Sequence, residues 1–172
     1  LDADFNNKFK NLKITISTSN IPGEGEHKII DHLRDNPPAE NVKSVIYGLD
    51  GDLIMLSMAT QVNNMFLVRE AYEYGQYAFQ HEGYPYLFMD VNCLKIALVN
   101  ECCKKMLVPV NHMSSRDINR FIDDYIVLTM MLGNDFMPKI PWISIKQQGH
   151  QILIDTYFEV HNGTECSQNP EL

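Results

Sequence analysis

The sequence predicts an α/β domain with a largely parallel sheet flanked by helices, because segments with strand periodicity alternate with segments with helix periodicity. Residues 13–18 alternate in character and are β-branched, which is typical of a strand. A glycine-containing turn at residues 22–26 leads into an apolar helical face that ends before a proline pair. Residues 42–49 and 53–59 repeat this order of strand, turn and helix.

The second half of the sequence is mainly helical. Residues 66–68 predict a short strand, and residues 91–106 have the apolar spacing of a helix. Ser114 begins a capping box, and apolar residues recur at helical spacing behind it until Gly133, where a helix is expected to end. Residues 143–160 predict one further helix, followed by a polar loop. No repeat or linker divides the chain, so we expect all 172 residues to belong to one domain.

The composition is that of a globular protein, with 45% hydrophobic and 21% charged residues. No apolar run approaches the roughly 18 residues that cross a membrane, and the first ten residues lack the apolar core of a signal peptide. The four cysteines include no C-x-x-C spacing, which disfavours a zinc or redox site and favours free thiols. We therefore expect a soluble intracellular protein.

Acidic residues occupy the turns after the first two predicted strands: Glu24 and Glu26 in one, Asp50 and Asp52 in the other. The carboxyl ends of parallel strands lie at one edge of a sheet, so both pairs are expected to converge there. Gathered carboxylates repel one another unless hard cations such as Mg²⁺ or Mn²⁺ lie between them. Asp135 follows the long helix at another sharp break and is the expected fifth ligand. Because metal-binding carboxylates count as negative, the net charge of -8 does not exclude a nucleic-acid substrate.

The same residues have simpler explanations. Acidic residues in turns are commonly solvated, and Asp-Gly is a frequent turn sequence. Glu24 and Glu26 could instead complement the positive end of a helix. Two other motif assignments are excluded. A phosphate-binding glycine loop would not present two glutamates to an anion, and an EF-hand counted from Asp50 has Gln61 at its twelfth position.

Three runs of residues together resemble the XRN family of 5′-to-3′ exoribonucleases. They are PGEGEHKI at residues 22–29, YGLDGDLIML at residues 47–56 and GNDFMP at residues 133–138. The order and spacing of these runs agree with the family over about residues 14–160.

The resemblance implies a PIN-like, flap-endonuclease-like α/β nuclease fold, of which the chain forms part of the family's N-terminal nuclease domain. It also implies a shared pair of divalent ions, Mg²⁺ or Mn²⁺, held by the same five residues, Glu24, Glu26, Asp50, Asp52 and Asp135. Family members remove nucleotides one at a time from RNA that bears a 5′-monophosphate. The implied reaction is two-metal hydrolysis, in which the ions stabilise the attacking and leaving oxygens.

The sequence also departs from the family pattern. Gly51 replaces the usual Ala between the two aspartates, and Met137 and Lys139 stand where Leu and His are common. The family's first segment carries two more catalytic aspartates and a basic helix that holds the 5′-phosphate, and it is absent from these 172 residues. We therefore expect a fold that is incomplete on its N-terminal side, has this segment as a partner and is inactive alone.

Two other functions stay open. A pseudonuclease segment would keep the fold and bind RNA or protein without chemistry, although such a relative would be expected to lose carboxylates. A structure-specific DNA nuclease on the same fold is disfavoured, because PGEGEHKI is closer to the RNA enzymes. The run YGLD at residues 47–50 resembles the cytoplasmic branch of the family more than the nuclear branch.

Overall fold

The computed structural model describes residues 12–48, 50–60, 62–73, 76–77, 85–135 and 137–166. These residues form five α-helices and five strands. The helices are α1 (Gly25–Asp35), α2 (Asp52–Ala59), α3 (Val91–Met106), α4 (Ser115–Met130) and α5 (Gly149–Cys166). The strands are β1 (Ser44–Tyr47), β2 (Met65–Glu70), β3 (Tyr72–Glu73), β4 (Gln76–Tyr77) and β5 (Tyr86–Asp90). The predicted α/β class is therefore confirmed.

The main sheet is mixed, not largely parallel as expected. Its strand order is β1-β2-β5, in which β1 pairs with β2 in parallel and β5 pairs with β2 in antiparallel orientation. A parallel neighbour needs a crossover that returns the chain to the starting end of the sheet. Here β2 is followed by the small antiparallel pair β3-β4, and β5 then enters from the end where β2 finished. The pattern of residues 72–86 predicts no element, so β5 was not predicted.

One face of the main sheet packs against helices. Ile46, Met65 and Leu67 lie on this face and belong to a core that also contains Leu53 of α2 and Val99 of α3. Alternate residues point to opposite sides of a strand. The other face accordingly presents exposed side chains, which include Val45, Tyr47 and Phe88.

The helices after the sheet extend the same core. The Phe121 ring of α4 lies against the rings of Tyr157 and Phe158 of α5, with centroid separations of 6.3 and 6.1 Å. The cluster of buried residues is continuous from Ile30 in α1 to Phe158 in α5. None of the helices in the described part of the chain is long and apolar enough to span a membrane.

The capping box predicted at Ser114 is confirmed. The Ser114 hydroxyl accepts a hydrogen bond from the Asp117 backbone N–H at 3.2 Å, and the Asp117 carboxylate accepts one from the Ser114 backbone N–H at 3.2 Å. The α-helix ends at Met130, and the chain then turns through Gly133, which has φ +93°. Such a φ favours glycine, because an L side chain is strained there.

Two predicted elements are wrong or displaced. Residues 13–18 form no strand, and Ile16 is 76% exposed. A β-branched pattern alone does not satisfy the backbone N–H and C=O groups, and no strand in the described residues pairs with this segment. The last helix begins at Gly149 instead of residue 143 and continues to Cys166, so the polar residues 161–166 are helical and not a loop. A short 3₁₀ turn, Ile145–Gln147, precedes it.

Candidate functional site

Asp50 and Asp52 lie where β1 passes into α2. The Gly48 backbone N–H donates to the Val68 carbonyl at 3.0 Å, which extends the parallel pairing by one residue beyond β1. A Cβ atom at Gly48 would lie 2.3 Å from Cδ1 of Leu53, so a larger residue there would require the Leu53 side chain to shift. The helix then begins at Asp52, which places both aspartates at the carboxyl edge of the sheet.

Glu24 and Glu26 lie at the N-terminus of α1. Glu24 is the N-cap residue, but its side chain makes no capping hydrogen bond, and Glu26 is in the first turn. The Lys28 ammonium donates to the Ile21 carbonyl and, at 3.5 Å, to the Thr18 carbonyl. Lys28 therefore ties the preceding turn to the helix that carries both glutamates. Lys28 belongs to the PGEGEHKI run but was not predicted as a site residue.

The two acidic pairs are close enough to interact electrostatically. The pKa of Glu26 is raised by partial burial, and next by the negative charges of Asp52, Asp50 and Glu24, whereas His27 opposes the shift. Helices α1 and α2 also contact each other. The structure thus brings four of the predicted residues into one electrostatic neighbourhood, because both helices present their N-terminal turns to it.

Two carboxylates at a helix end and a helix contact, those of Asp90 and Asp155, have partners within the described residues, whereas the predicted ligands do not. Asp90 accepts two backbone hydrogen bonds at the start of α3, and Asp155 accepts from Lys105 and Gln151. The side chains of the five predicted ligands form no hydrogen bond and no salt bridge with another residue in the described ranges. Their oxygens are therefore available to a ligand, and hard oxygen donors of this kind suit Mg²⁺ or Mn²⁺.

Asp135 lies on a compact loop after α4 and is exposed. The Gly133 N–H donates to the Met130 carbonyl at 3.0 Å, and the Met137 N–H donates to Oδ1 of Asn134 at 2.7 Å. These two hydrogen bonds restrain the described residues on either side of Asp135. Asp135 is not among the charges that shift the pKa of Glu26.

No group of three or more His, Cys, Asp or Glu side chains in the described ranges has the spacing needed to hold a metal ion. The electrostatic neighbourhood is thus looser than a formed metal centre. The assignment of the five residues as catalytic metal ligands stays a prediction.

Three further side chains lie at the same edge of the sheet and were not predicted as site residues. The Tyr47 hydroxyl at the end of β1 donates to Oε1 of Glu70 at the end of β2. The second carboxylate oxygen of Glu70 is buried and has no hydrogen-bond partner in the described residues. The ring of Tyr86 meets that of Tyr47 edge-on, with a centroid separation of 6.5 Å. The pairing of Glu70 with Tyr86 across β2 and β5 places all three residues together, a juxtaposition that the unassigned β5 concealed from sequence reasoning.

The cysteines form no second site. Cys93, Cys102 and Cys103 are free thiols, as the sequence predicts, and the Cys166 side chain lies outside the described residues. Burial, and then the neighbouring Cys103, raise the pKa of the Cys102 thiol to about 11. This thiol is therefore protonated and unreactive near neutral pH.

The fold and the acidic neighbourhood define an α/β protein whose unpaired carboxylates gather at the ends of strands and helices. A protein-family model described as "XRN 5′-3′ exonuclease N-terminus" matches residues 2–71, which include four of the predicted ligands. A second family model, described as "Xrn1 helical domain", matches residues 115–166, which include Asp135. Together the two matches cover most of the chain. The chain belongs to the XRN 5′-3′ exonuclease family, and the resemblance found in the sequence is confirmed.

Similar proteins carry the name 5′-3′ exoribonuclease 2. That of Yarrowia lipolytica is 30% identical over 156 residues, which is 87% of this chain and 15% of that protein. The Arabidopsis thaliana protein is 30% identical over 186 residues, covering 87% of this chain and 18% of that protein. A Cryptococcus neoformans protein is 33% identical over 183 residues, covering 85% and 16%. This chain therefore spans less than a fifth of the length of these relatives.

Proposed function

We propose that the protein to which this chain belongs is a metal-dependent exoribonuclease that degrades RNA with a 5′-monophosphate from its 5′ end. Family membership and the names of the relatives support this proposal. The observation that carries it is the shared neighbourhood of Glu24, Glu26, Asp50 and Asp52, whose carboxylates have no hydrogen-bonding or ion-pairing partners within the described residues. A PIN-like nuclease fold over all 172 residues is part of the proposal, supported by the continuous core between α1 and α5.

The donor set fits divalent cations. Four carboxylates at two helix N-termini would repel one another, and a cation would convert this repulsion into attraction. When bound, two Mg²⁺ or Mn²⁺ ions would supply activation of water and stabilisation of the leaving 3′ oxygen. The residues of this chain would hold the ions and keep the surrounding charge in place. In this proposal Asp135 provides the fifth carboxylate from its loop.

The isolated chain is proposed to be inactive. Its described residues present no ready group of three ligands, so metal binding would require the neighbourhood to contract. Carboxylates that must first overcome their mutual repulsion, and that no rigid structure holds in place, bind a cation weakly. The 172-residue chain is therefore expected to release no mononucleotides with Mg²⁺ or Mn²⁺, while the full-length protein does so.

The test uses the full-length protein with Asp52→Ala and Asp52→Asn. Each variant removes a proposed ligand charge, so metal-dependent release of mononucleotides from 5′-monophosphorylated RNA should fall to background. Asp52 contributes a partly exposed side chain in the first turn of α2, and the thermal stability should change by less than about 0.5 kcal/mol. Titration with Mn²⁺ by calorimetry should show weaker binding in both variants.

Asp35→Asn is the matched control. Asp35 is exposed at the opposite end of α1, so its substitution makes the same change in net charge away from the acidic neighbourhood. Its turnover should equal that of the wild type. Turnover by Asp52→Asn at the wild-type rate would refute the catalytic role of Asp52.

The alternative of a pseudonuclease would give a different result. The full-length wild type would then bind RNA but release no nucleotides at any Mg²⁺ or Mn²⁺ concentration. A cytoplasmic location, which the run YGLD at residues 47–50 favours, is a separate part of the proposal. Imaging of the tagged full-length protein tests it, and nuclear accumulation would contradict it.

A further inference from the structure

The only tryptophan of the sequence lies on the surface. Trp142 is 81% exposed, and no other aromatic ring in the described part of the chain packs against it. Ile145, three residues later, is also 67% exposed. A large aromatic side chain contributes most to stability when it is buried, so the exposure of Trp142 is not explained by packing.

The backbone holds Trp142 in this position. The Ile143 N–H donates to the Ile140 carbonyl at 3.2 Å and closes a turn that has Pro141 and Trp142 at its centre. Proline fixes the first central residue of such a turn, which leaves the second one at the tip. The Ile140 N–H also donates to the Met131 carbonyl at 3.1 Å, which ties the turn to the end of α4. Trp142 is therefore presented on a braced loop, at the same end of α4 as Asp135.

The second end of the loop is equally restrained. The Gly149 N–H donates to the Ser144 carbonyl at 2.8 Å, and a Cβ atom at Gly149 would lie 2.5 Å from Cγ2 of Ile143. Ile143 thus packs closely against the start of α5 while its neighbour Trp142 points outward. A rigid aromatic side chain loses little conformational entropy when it binds a partner.

The charge around Trp142 is opposite to that of the whole chain. The chain has a net charge of -8, but residues 136–154 contain no Asp or Glu and include Lys139 and Lys146. Both lysines are exposed and form no salt bridge within the described ranges. Two exposed lysines, three residues before and four residues after an exposed indole in the sequence, complement a ligand that combines negative charge with flat apolar rings.

We propose that Lys139, Trp142 and Lys146 form a docking surface for single-stranded RNA, named here the Trp142 surface. The indole stacks on one unpaired base, and the ammonium groups contact the flanking phosphates. Single-stranded RNA is favoured over an acidic peptide because its bases offer faces for stacking as well as charge. The inference rests on the proposed function in naming RNA as the ligand, but it assigns a binding role to residues outside the acidic neighbourhood.

The experiment titrates the 172-residue chain with a 12-nucleotide oligouridine in the presence of EDTA. Trp142 is the sole tryptophan, so stacking should quench the indole emission in a saturable manner. Fluorescence anisotropy of a labelled oligonucleotide then gives the Kd for each variant. Trp142→Ala should raise the Kd between about fivefold and about 150-fold, the cost of losing one base–aromatic stack. Trp142→Phe should stay within about threefold of the wild type, because it keeps an aromatic face.

Lys139→Ala and Lys146→Ala test the phosphate contacts. Each should lower the slope of log K against log salt concentration by about 0.7, the value for one single-strand phosphate contact. Phe88→Ala is the matched control, since Phe88 is 70% exposed on the uncovered face of the sheet. Its Kd should equal that of the wild type.

Several results would overturn the inference. They are an absence of quenching at saturating RNA, an unchanged Kd for Trp142→Ala, an equal loss for Phe88→Ala, or equal quenching by a blunt RNA duplex whose bases are already stacked. Because EDTA removes divalent ions, these results do not depend on hydrolysis. Failure of Mg²⁺-dependent hydrolysis with an intact Trp142 effect would reject only the proposed enzyme, and the reverse pattern would reject only the Trp142 surface.

Discussion

Gly133→Ala should strongly destabilise the chain, because Gly133 combines a left-handed backbone with a crowded environment. Its φ is +93°, and an added Cβ atom would lie 2.7 Å from Cβ of Lys139 and 3.0 Å from the Lys139 Cα and N atoms. Backbone strain of this kind costs roughly 1–3 kcal/mol, and overpacking costs roughly 1–3 kcal/mol more. The reduced entropy of the unfolded chain returns about 0.4–1 kcal/mol. The expected net loss is about 1–6 kcal/mol of the free energy of unfolding.

The assay is thermal and urea unfolding of the chain, followed by circular dichroism at the helix band. For a domain of this size the loss corresponds to a fall in Tm of roughly 2–24 °C. Gly51→Ala is the matched control, because Gly51 has φ -69° and ψ -27° and no atom lies within 4 Å of its added Cβ. Its stability should change by less than about 0.5 kcal/mol. The same observation explains how the chain tolerates Gly51 at a position where the family usually has Ala.

A double mutant separates strain from crowding. Lys139→Gly removes the nearest clashing atom, so part of the loss in Gly133→Ala should be recovered in the pair, while the strain from φ remains. The two substitutions should show an interaction free energy of at least about 0.5 kcal/mol in the double-mutant cycle, because the two residues are in direct contact. Equal Tm values for Gly133→Ala and Gly51→Ala would refute the reasoning about this loop.

Two further predictions concern helix ends and pH. Ser114→Ala removes the N-cap of α4 and should cost about 1 kcal/mol in urea unfolding, whereas Ser115→Ala, one residue into the helix, should cost less than half of this. The pKa of Asp155 is lowered by hydrogen bonds from Lys105 first and from Gln151 second. A lowered folded-state pKa stabilises the fold above the unfolded pKa of about 3.9 and loses this effect as the pH falls through the folded value. Wild type should therefore be more stable than Asp155→Asn at pH 7, and the difference should vanish below about pH 3. A difference independent of pH would contradict the assignment.

Local signals in the sequence determined the helices and the β1-α2-β2 unit. The Ser114 capping box, the proline pair after α1 and the apolar spacing of residues 91–106 each act within a few residues of chain. The bounds of α3 agree with this spacing. These elements were predictable because caps, proline and side-chain periodicity fix backbone conformation locally.

Strand pairing depended on tertiary structure. Residues 13–18 have a good strand pattern but no partner in the described chain, whereas β5 was missed and supplies the antiparallel edge of the sheet. A strand forms only where a neighbour satisfies its backbone groups, and that neighbour is remote in sequence. The local sequence pattern therefore could not decide whether residues 13–18 or the residues of β5 form strands.

The candidate site divides in the same way. The sequence by itself determined which carboxylates stand at breaks between elements, because turn residues and the PGEGEHKI run can be read directly. Only the tertiary structure decided that α1 and α2 bring Glu24, Glu26, Asp50 and Asp52 within electrostatic range. It also decided that Tyr47 meets Glu70 at the same edge and that Trp142 is exposed on a braced turn. Burial and proximity arise when distant segments pack together, which is why spacing along the chain does not reveal them.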